Sequence, residues 1–205
     1  MCGPAPGSTL LTHMDKKARR RECLARIKSL GYRDRQSFSL SICELISASP
    51  SFEKAKTVFA YSALPEEPDL TGLIASHPEK NWAFPKITEG GQLSFFVARS
   101  MIGMIPGQFG IQEPHPDLHQ AASFSTVDLI LVPGLSFDPT TGARLGRGKG
   151  YYDKFLGSHC GSLTEDSCPL VVGVCFFLQL TTLQPEPHDF PMHQVVTERG
   201  WHPPA

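Results

Sequence analysis

Val127-Asp128-Leu129-Ile130-Leu131-Val132-Pro133-Gly134 opens the stretch that decides the fold, and Gly146-Arg147-Gly148-Lys149-Gly150-Tyr151-Tyr152-Asp153 closes it. The first run is short, almost wholly apolar and stopped by Pro-Gly, the pattern of a strand buried on both faces. The second leads into Tyr151 to Leu156, which opens a helix. The same texture recurs outward in both directions. Thr57 to Tyr61, Trp82 to Phe84, Leu93 to Val97, Val171 to Phe176 and Val195 to Thr197 read as further strands. Towards the amino end, Asp15 offers an N-cap for a helix over Lys16 to Leu30, with Gly31 as its stop and Leu24, Ile27 and Leu30 as its apolar stripe. A second helix is expected over Gln36 to Ser47, with Phe38, Ile42, Leu45 and Ile46 inward, and a short one over Asp69 to Ser76. Apolar strands alternating with helices predict an α/β fold, a mainly parallel sheet flanked by helices. Met101 to His119 is rich in glycine and proline and is expected to be an irregular loop. Residues 1–12 read as a disordered tail, and 13–205 as a single domain.

The chain has 205 residues, 19 Lys and Arg against 20 Asp and Glu, and a net charge of -1. No global field exists to hold nucleic acid or an anionic membrane, so neither is an expected partner. No apolar run approaches the ~20 residues of a membrane helix. The Leu10-Leu11 pair precedes, rather than follows, the cations that begin at Lys16, which does not fit a signal peptide. Six cysteines without a Cys-x-x-Cys pair suggest free thiols, and hence the cytoplasm. His115 and His119 have the spacing of a zinc-binding helix. The prolines at 114 and 116 argue that this is coincidence.

Chemistry concentrates between strand and helix. Gly146, Gly148 and Gly150 alternate with Arg147 and Lys149, and Arg144 stands just ahead. Alternating glycines let backbone N–H groups approach a ligand closely. A helix amino terminus adds partial positive charge, so the parts make a polyphosphate cradle at the carboxyl end of a strand. On spacing alone, a glycine turn with solvated cations fits as well. The phosphate-loop pattern Gly-x-x-x-x-Gly-Lys-Ser/Thr fails at Ala143 and Gly150, and the dinucleotide fingerprint fails at Tyr151.

The run Arg144-Leu145-Gly146-Arg147-Gly148-Lys149-Gly150-Tyr151-Tyr152-Asp153 closely resembles the signature of the 5-formyltetrahydrofolate cyclo-ligase family. Val132 to Asp138 is similar to that family's lead-in. The resemblance extends from Lys16 to Glu198, more weakly in the middle third. It implies a fold like that of the sugar-phosphate isomerases and CoA transferases. It also implies ATP and Mg²⁺ as cofactors. The substrate would be 5-formyltetrahydrofolate, with or without a polyglutamate tail, closed to 5,10-methenyltetrahydrofolate. The signature from Arg144 to Tyr152 would hold ATP, and Lys16 and Arg20, one turn apart on a helix, would reach its phosphates. A solvated basic helix face is the alternative for that pair. Ser62, Glu67, Phe109 and Tyr152 are the implied substrate contacts, with Glu66 a rival to Glu67 and a packing role open for Phe109. Asp153 and Asp189 are the implied magnesium ligands, Asp189 being otherwise a turn residue between prolines. His193 stands where many relatives carry an acid, and the turn Asp138 to Gly142 is one residue longer than usual. A sugar-phosphate isomerase on the same fold, working without ATP, is the rival enzyme. A nucleic-acid module using Arg147 and Lys149 is the rival from another class.

Overall fold

In the computed structural model, residues 16–98, 103–107, 110–161 and 168–204 are described. The expected tail and the Asp15 cap lie outside them, as does Phe109. Five helices are described, α1 (Lys16–Lys28), α2 (Tyr32–Ser47), α3 (Pro50–Lys54), α4 (Thr71–Ser76) and α5 (Tyr151–Cys160). The central strands are β1 (Thr57–Phe59), β2 (Asn81–Ile87), β3 (Leu93–Val97), β6 (Leu129–Pro133), β9 (Leu170–Val174), β10 (Gln194–Thr197) and β11 (Gly200–His202). They form one seven-stranded sheet in the order β11-β10-β9-β6-β1-β2-β3. The five inner strands run parallel, and β3 and β11 close the two edges antiparallel.

The apolar strands are explained by alternation across this sheet. Val58, Trp82, Phe84, Leu129, Leu131, Val172, Val174 and Val196 pack on one face with the stripes of α1, α2 and α4. Their neighbours Phe59, Ala83, Ile130, Val132, Val171 and Val195 pack on the other with Phe155, Leu156 and Cys160 of α5. A strand covered on both sides needs apolar residues at every position. The mainly parallel α/β sheet expected from the sequence is therefore what forms.

Several boundaries differ. α1 ends at Lys28, two residues early, because Gly31 is not its stop but the extended N-cap of α2. α2 thus begins at Tyr32, four residues ahead of expectation. The stretch expected as an irregular loop contains a hairpin, β4 (Met104–Pro106) against β5 (Gln112–Pro114). Its prolines, at the ends of the two strands, do not break it, as edge positions lose no ladder bond to a proline. The segment after β6 is not a simple loop either. β7 (Ser136–Phe137) and β8 (Arg144–Leu145) pair antiparallel. The long turn between them is tied down, since Asp138 accepts the N–H groups of Thr140 (2.8 Å) and Leu183 (2.9 Å). Burial would raise the Asp138 pKa, but these backbone bonds outweigh it and hold the carboxyl below its usual range.

The chain runs from β1 through β2 to β3 in one direction, and from β6 through β9 to β10 in the other. The order reverses between β1 and β6. Open α/β sheets leave a crevice at the carboxyl ends of such strands.

Candidate active site

A cleft of about 1260 Å³ opens at this reversal. Most of its lining comes from four places: the loop after β1, the segment from β8 into α5, the start of α1, and the segment 187–191. β2 runs four residues past its pairing with β1, so Pro85 and Ile87, with Leu93 of β3 and Ile111, form an apolar wall.

The glycine segment is shaped around Arg20. Its Nε donates to the Gly146 carbonyl (3.0 Å). Gly148 has φ +104°, and a Cβ there would stand 3.2 Å from the guanidinium carbon of Arg20. Only a residue without a side chain accepts both conditions. Arg20 is therefore docked against the loop rather than solvated. Lys16, one turn earlier, pairs with Glu186 (2.8 Å) and lies 3.6 Å from Asp189. Lys16 and Arg20 both face the cleft. Arg147 and Lys149 are exposed on the loop, and Tyr151 and Tyr152 begin α5 beneath it.

Arg144 is the buried cation. Its side chain is 5% exposed, and Nη2 donates to both oxygens of Asp153 at 2.9 Å. Nη1 donates to the Pro133 carbonyl (3.3 Å), and the guanidinium lies 5.5 Å from the Tyr152 ring centre. Among the described residues, two buried polar atoms here have no partner, Arg144 Nε and the Tyr152 hydroxyl. Burial pushes the Tyr152 phenol well up, so it stays neutral and can donate a proton to a hydrogen bond. Orphaned buried donors beside a cleft are the mark of a place that a ligand completes.

Across the mouth, the side chain of Glu67 is 8% exposed and accepts from Arg147 Nε (3.2 Å) and from the Leu64 N–H (3.0 Å). Burial raises its pKa, and the charge of Arg147 opposes the shift only in part. Glu66 also reaches Arg147, at 3.6 Å. Ser62 is buried and donates weakly to Met104 Sδ (3.9 Å). Asp189 accepts the Glu186 N–H (2.9 Å) and groups with Glu186 and His188, while the neighbouring Phe190 N–H reaches Asp153 (3.4 Å).

Every described residue singled out from the sequence for ATP, substrate or metal borders this cleft. Leu145 does so least, since it is 5% exposed and its carbonyl is taken by the Leu135 N–H. Phe109 lies outside the described residues. His193 turns inward instead, where its Nδ1 accepts the Val171 N–H (2.9 Å), so it supports β9. Sequence reasoning missed Glu113, Pro85, Ile87, Leu93 and Lys154. The first four lie on β2, β3 and the β4–β5 hairpin, and only the sheet brings them to the signature. Among the described residues the wall holds six Lys and Arg against four carboxylates, a local positive excess in a chain of net charge -1.

A profile of the 5-formyltetrahydrofolate cyclo-ligase family matches residues 12–198. The 5-formyltetrahydrofolate cyclo-ligase of Saccharomyces cerevisiae is 39% identical over 95 residues, 46% of this chain and 43% of that protein. The chain thus spans less than half of that relative. The probable 5-formyltetrahydrofolate cyclo-ligase of Schizosaccharomyces pombe is 29% identical over 75% of this chain and 78% of its own. A solved structure of the 5,10-methenyltetrahydrofolate synthetase of Aquifex aeolicus superposes with a TM-score of 0.78, at 32% identity over 92% of both chains.

Proposed function

Because this chain belongs to the 5-formyltetrahydrofolate cyclo-ligase family, we propose that its cleft closes 5-formyltetrahydrofolate to 5,10-methenyltetrahydrofolate at the expense of ATP, with release of ADP and phosphate. The observation that carries the reading is the meeting, in one cleft, of a cation-lined glycine segment with an apolar wall and buried carboxylates. The first half suits a polyphosphate and the second a donor-rich heterocycle.

An N-formyl amide is a poor electrophile, because its nitrogen donates into the carbonyl. Its oxygen is also a poor leaving group. Transfer of the γ-phosphoryl group onto that oxygen removes both obstacles. The O–P bond forms as the bond from phosphorus to ADP breaks. N10 then attacks the resulting iminium carbon and gives up its proton, and the oxygen leaves as phosphate. The work left to the protein is positioning and charge compensation. Arg144, Arg147 and Lys149 would surround the phosphates, and Lys16 and Arg20 would approach from α1. Tyr152 would donate its hydroxyl to a bound oxygen, and Glu67 would accept from the reduced pterin. Leu145, Gly146, Gly148, Gly150 and Tyr151 would shape the nucleotide site through backbone and ring. No protein nucleophile is required.

The carboxylates of Asp153 and Asp189 are the donor type that magnesium prefers, and Phe190 ties their two segments together. They fit the ion, which would neutralise phosphate charge and orient the γ-phosphoryl group. Each now satisfies a cation, Arg144 and Lys16, so the ion and the phosphates would share these partners.

Among the described residues no helix is long and apolar enough to cross a membrane. A cytoplasmic location, a folate that carries one glutamate or several, and independence from nucleic acid complete the proposal. The test is purified protein with ATP, magnesium and 5-formyltetrahydrofolate, followed by methenyltetrahydrofolate absorbance. Product that needs ATP is expected. Equal product with ATP omitted would rule the reading out.

A further inference from the structure

The apolar end of the cleft contains a carboxylate that the reaction scheme above leaves unused. Glu113 lies on β5, is 6% exposed, and borders the cleft together with Pro85, Ile87, Leu93 and Ile111. Its Oε2 stands 3.4 Å from Nζ of Lys86 on β2, a cation that approaches from outside the cleft wall. The backbone makes room for it. A Cβ on Gly107 would stand 2.1 Å from the Glu113 carboxyl carbon and 2.5 Å from Oε2. An ordinary side chain at 107 would therefore displace the carboxylate. Among the described residues this long ion pair is the polar contact of the carboxylate, and a buried charge so held costs free energy unless further donors reach it. Glu67 differs, because both of its oxygens already accept, from Arg147 and from Leu64 N–H.

We propose, building on the cyclo-ligase reading, that Glu113 is a substrate-binding carboxylate that reads the amino-pyrimidinone edge of the pterin, with Lys86 as its positioning residue. That edge carries a 2-amino N–H and an adjacent ring N–H pointing the same way. Two parallel donors match the two oxygens of one carboxylate, as a guanidinium fork does. The ring faces would lie against the neighbouring apolar side chains. The formyl group on N5, at the opposite end of the bicycle, would then be directed away from Glu113. Specificity follows as well, since a buried acceptor left without its donor penalises ligands that lack the amino group.

The experiment is calorimetric binding of 5-formyltetrahydrofolate and of its 2-desamino analogue to the wild type, Glu113→Gln and Glu113→Asp. Cyclisation and ATP KM are measured in parallel. Glu113→Gln is expected to weaken folate binding about 10- to 100-fold, the worth of hydrogen bonds to a charged group. ATP KM should not move. Against the 2-desamino analogue most of that loss should vanish, which a merely structural role would not produce. Glu113→Asp keeps the charge beside Lys86 but withdraws it by one methylene. It should lose folate affinity without loss of melting temperature, and it carries the test if the Gln variant does not fold. Variants that bind folate like the wild type, or that lose as much with the analogue, would overturn the proposal while leaving the cyclisation reading intact. A wild type that binds folate in this manner but yields no product would overturn only the cyclisation reading. A wild type that binds no folate would overturn both.

Discussion

Arg144 and Asp153 form the most enclosed ion pair of the cleft, with side chains 5% and 14% exposed. Arg144→Ala would remove a preorganised donor from the phosphates, and cyclisation should slow by about 10²–10³. It would also strand the Asp153 carboxylate, at about 3–5 kcal/mol of stability. Turnover and melting of the same preparation measure both, and an unchanged rate in folded protein would show Arg144 to be purely structural. Asp153→Asn should shift the magnesium dependence of turnover to higher concentration while folate affinity holds. Superimposable titrations would remove Asp153 from the metal site. Glu67 supplies a pH prediction. Burial raises its folded-state pKa above the ordinary 4.5. A carboxyl so shifted stabilises the fold while protonated, and that contribution is lost as pH rises from about 4.5 through the raised value. Glu67→Gln cannot ionise, so its melting temperature should gain on the wild type across that window; parallel pH curves would contradict this. Arg144, Asp153 and Glu67 were legible in the sequence because each lies within or just beyond a recognisable local run. Glu113 was given no role, because its carboxylate acquires meaning from Lys86 and the wall of β2, which lie far from it in the chain.

At the scale of elements, α1 and the glycine segment act as one unit through Arg20 and Gly146. Gly148→Ala would force a φ of +104° on a residue with a side chain and press on Arg20. Strain of about 1–3 kcal/mol should raise ATP KM roughly tenfold or more, with folate affinity near normal. An equal loss for both substrates would show that the segment serves the whole fold instead. Strands such as β6 and β9 could be read from sequence because burial on both faces demands apolar residues throughout. The β4–β5 and β7–β8 hairpins could not. Their strands span two or three residues, too few to establish a period of two, and glycine and proline near them signal turns. The start of α2 was missed because Tyr32 to Arg35 is polar or aromatic and leaves little apolar stripe.

At the scale of the molecule, the reversal of strand order between β1 and β6 sets Glu67 and the signature beside one another across 80 residues of chain. Strand order is a property of pairing between distant segments, so the sequence carried the fold class without the order. Under the proposed function, a phosphoryl group passes from ATP to the formyl oxygen within this cleft. The direct measurement uses 5-formyltetrahydrofolate labelled with heavy oxygen in the formyl group, turned over by the wild-type protein with ATP and magnesium. Mass spectrometry of the products should find the label in inorganic phosphate; label recovered in water instead, with phosphate unlabelled, would contradict direct transfer.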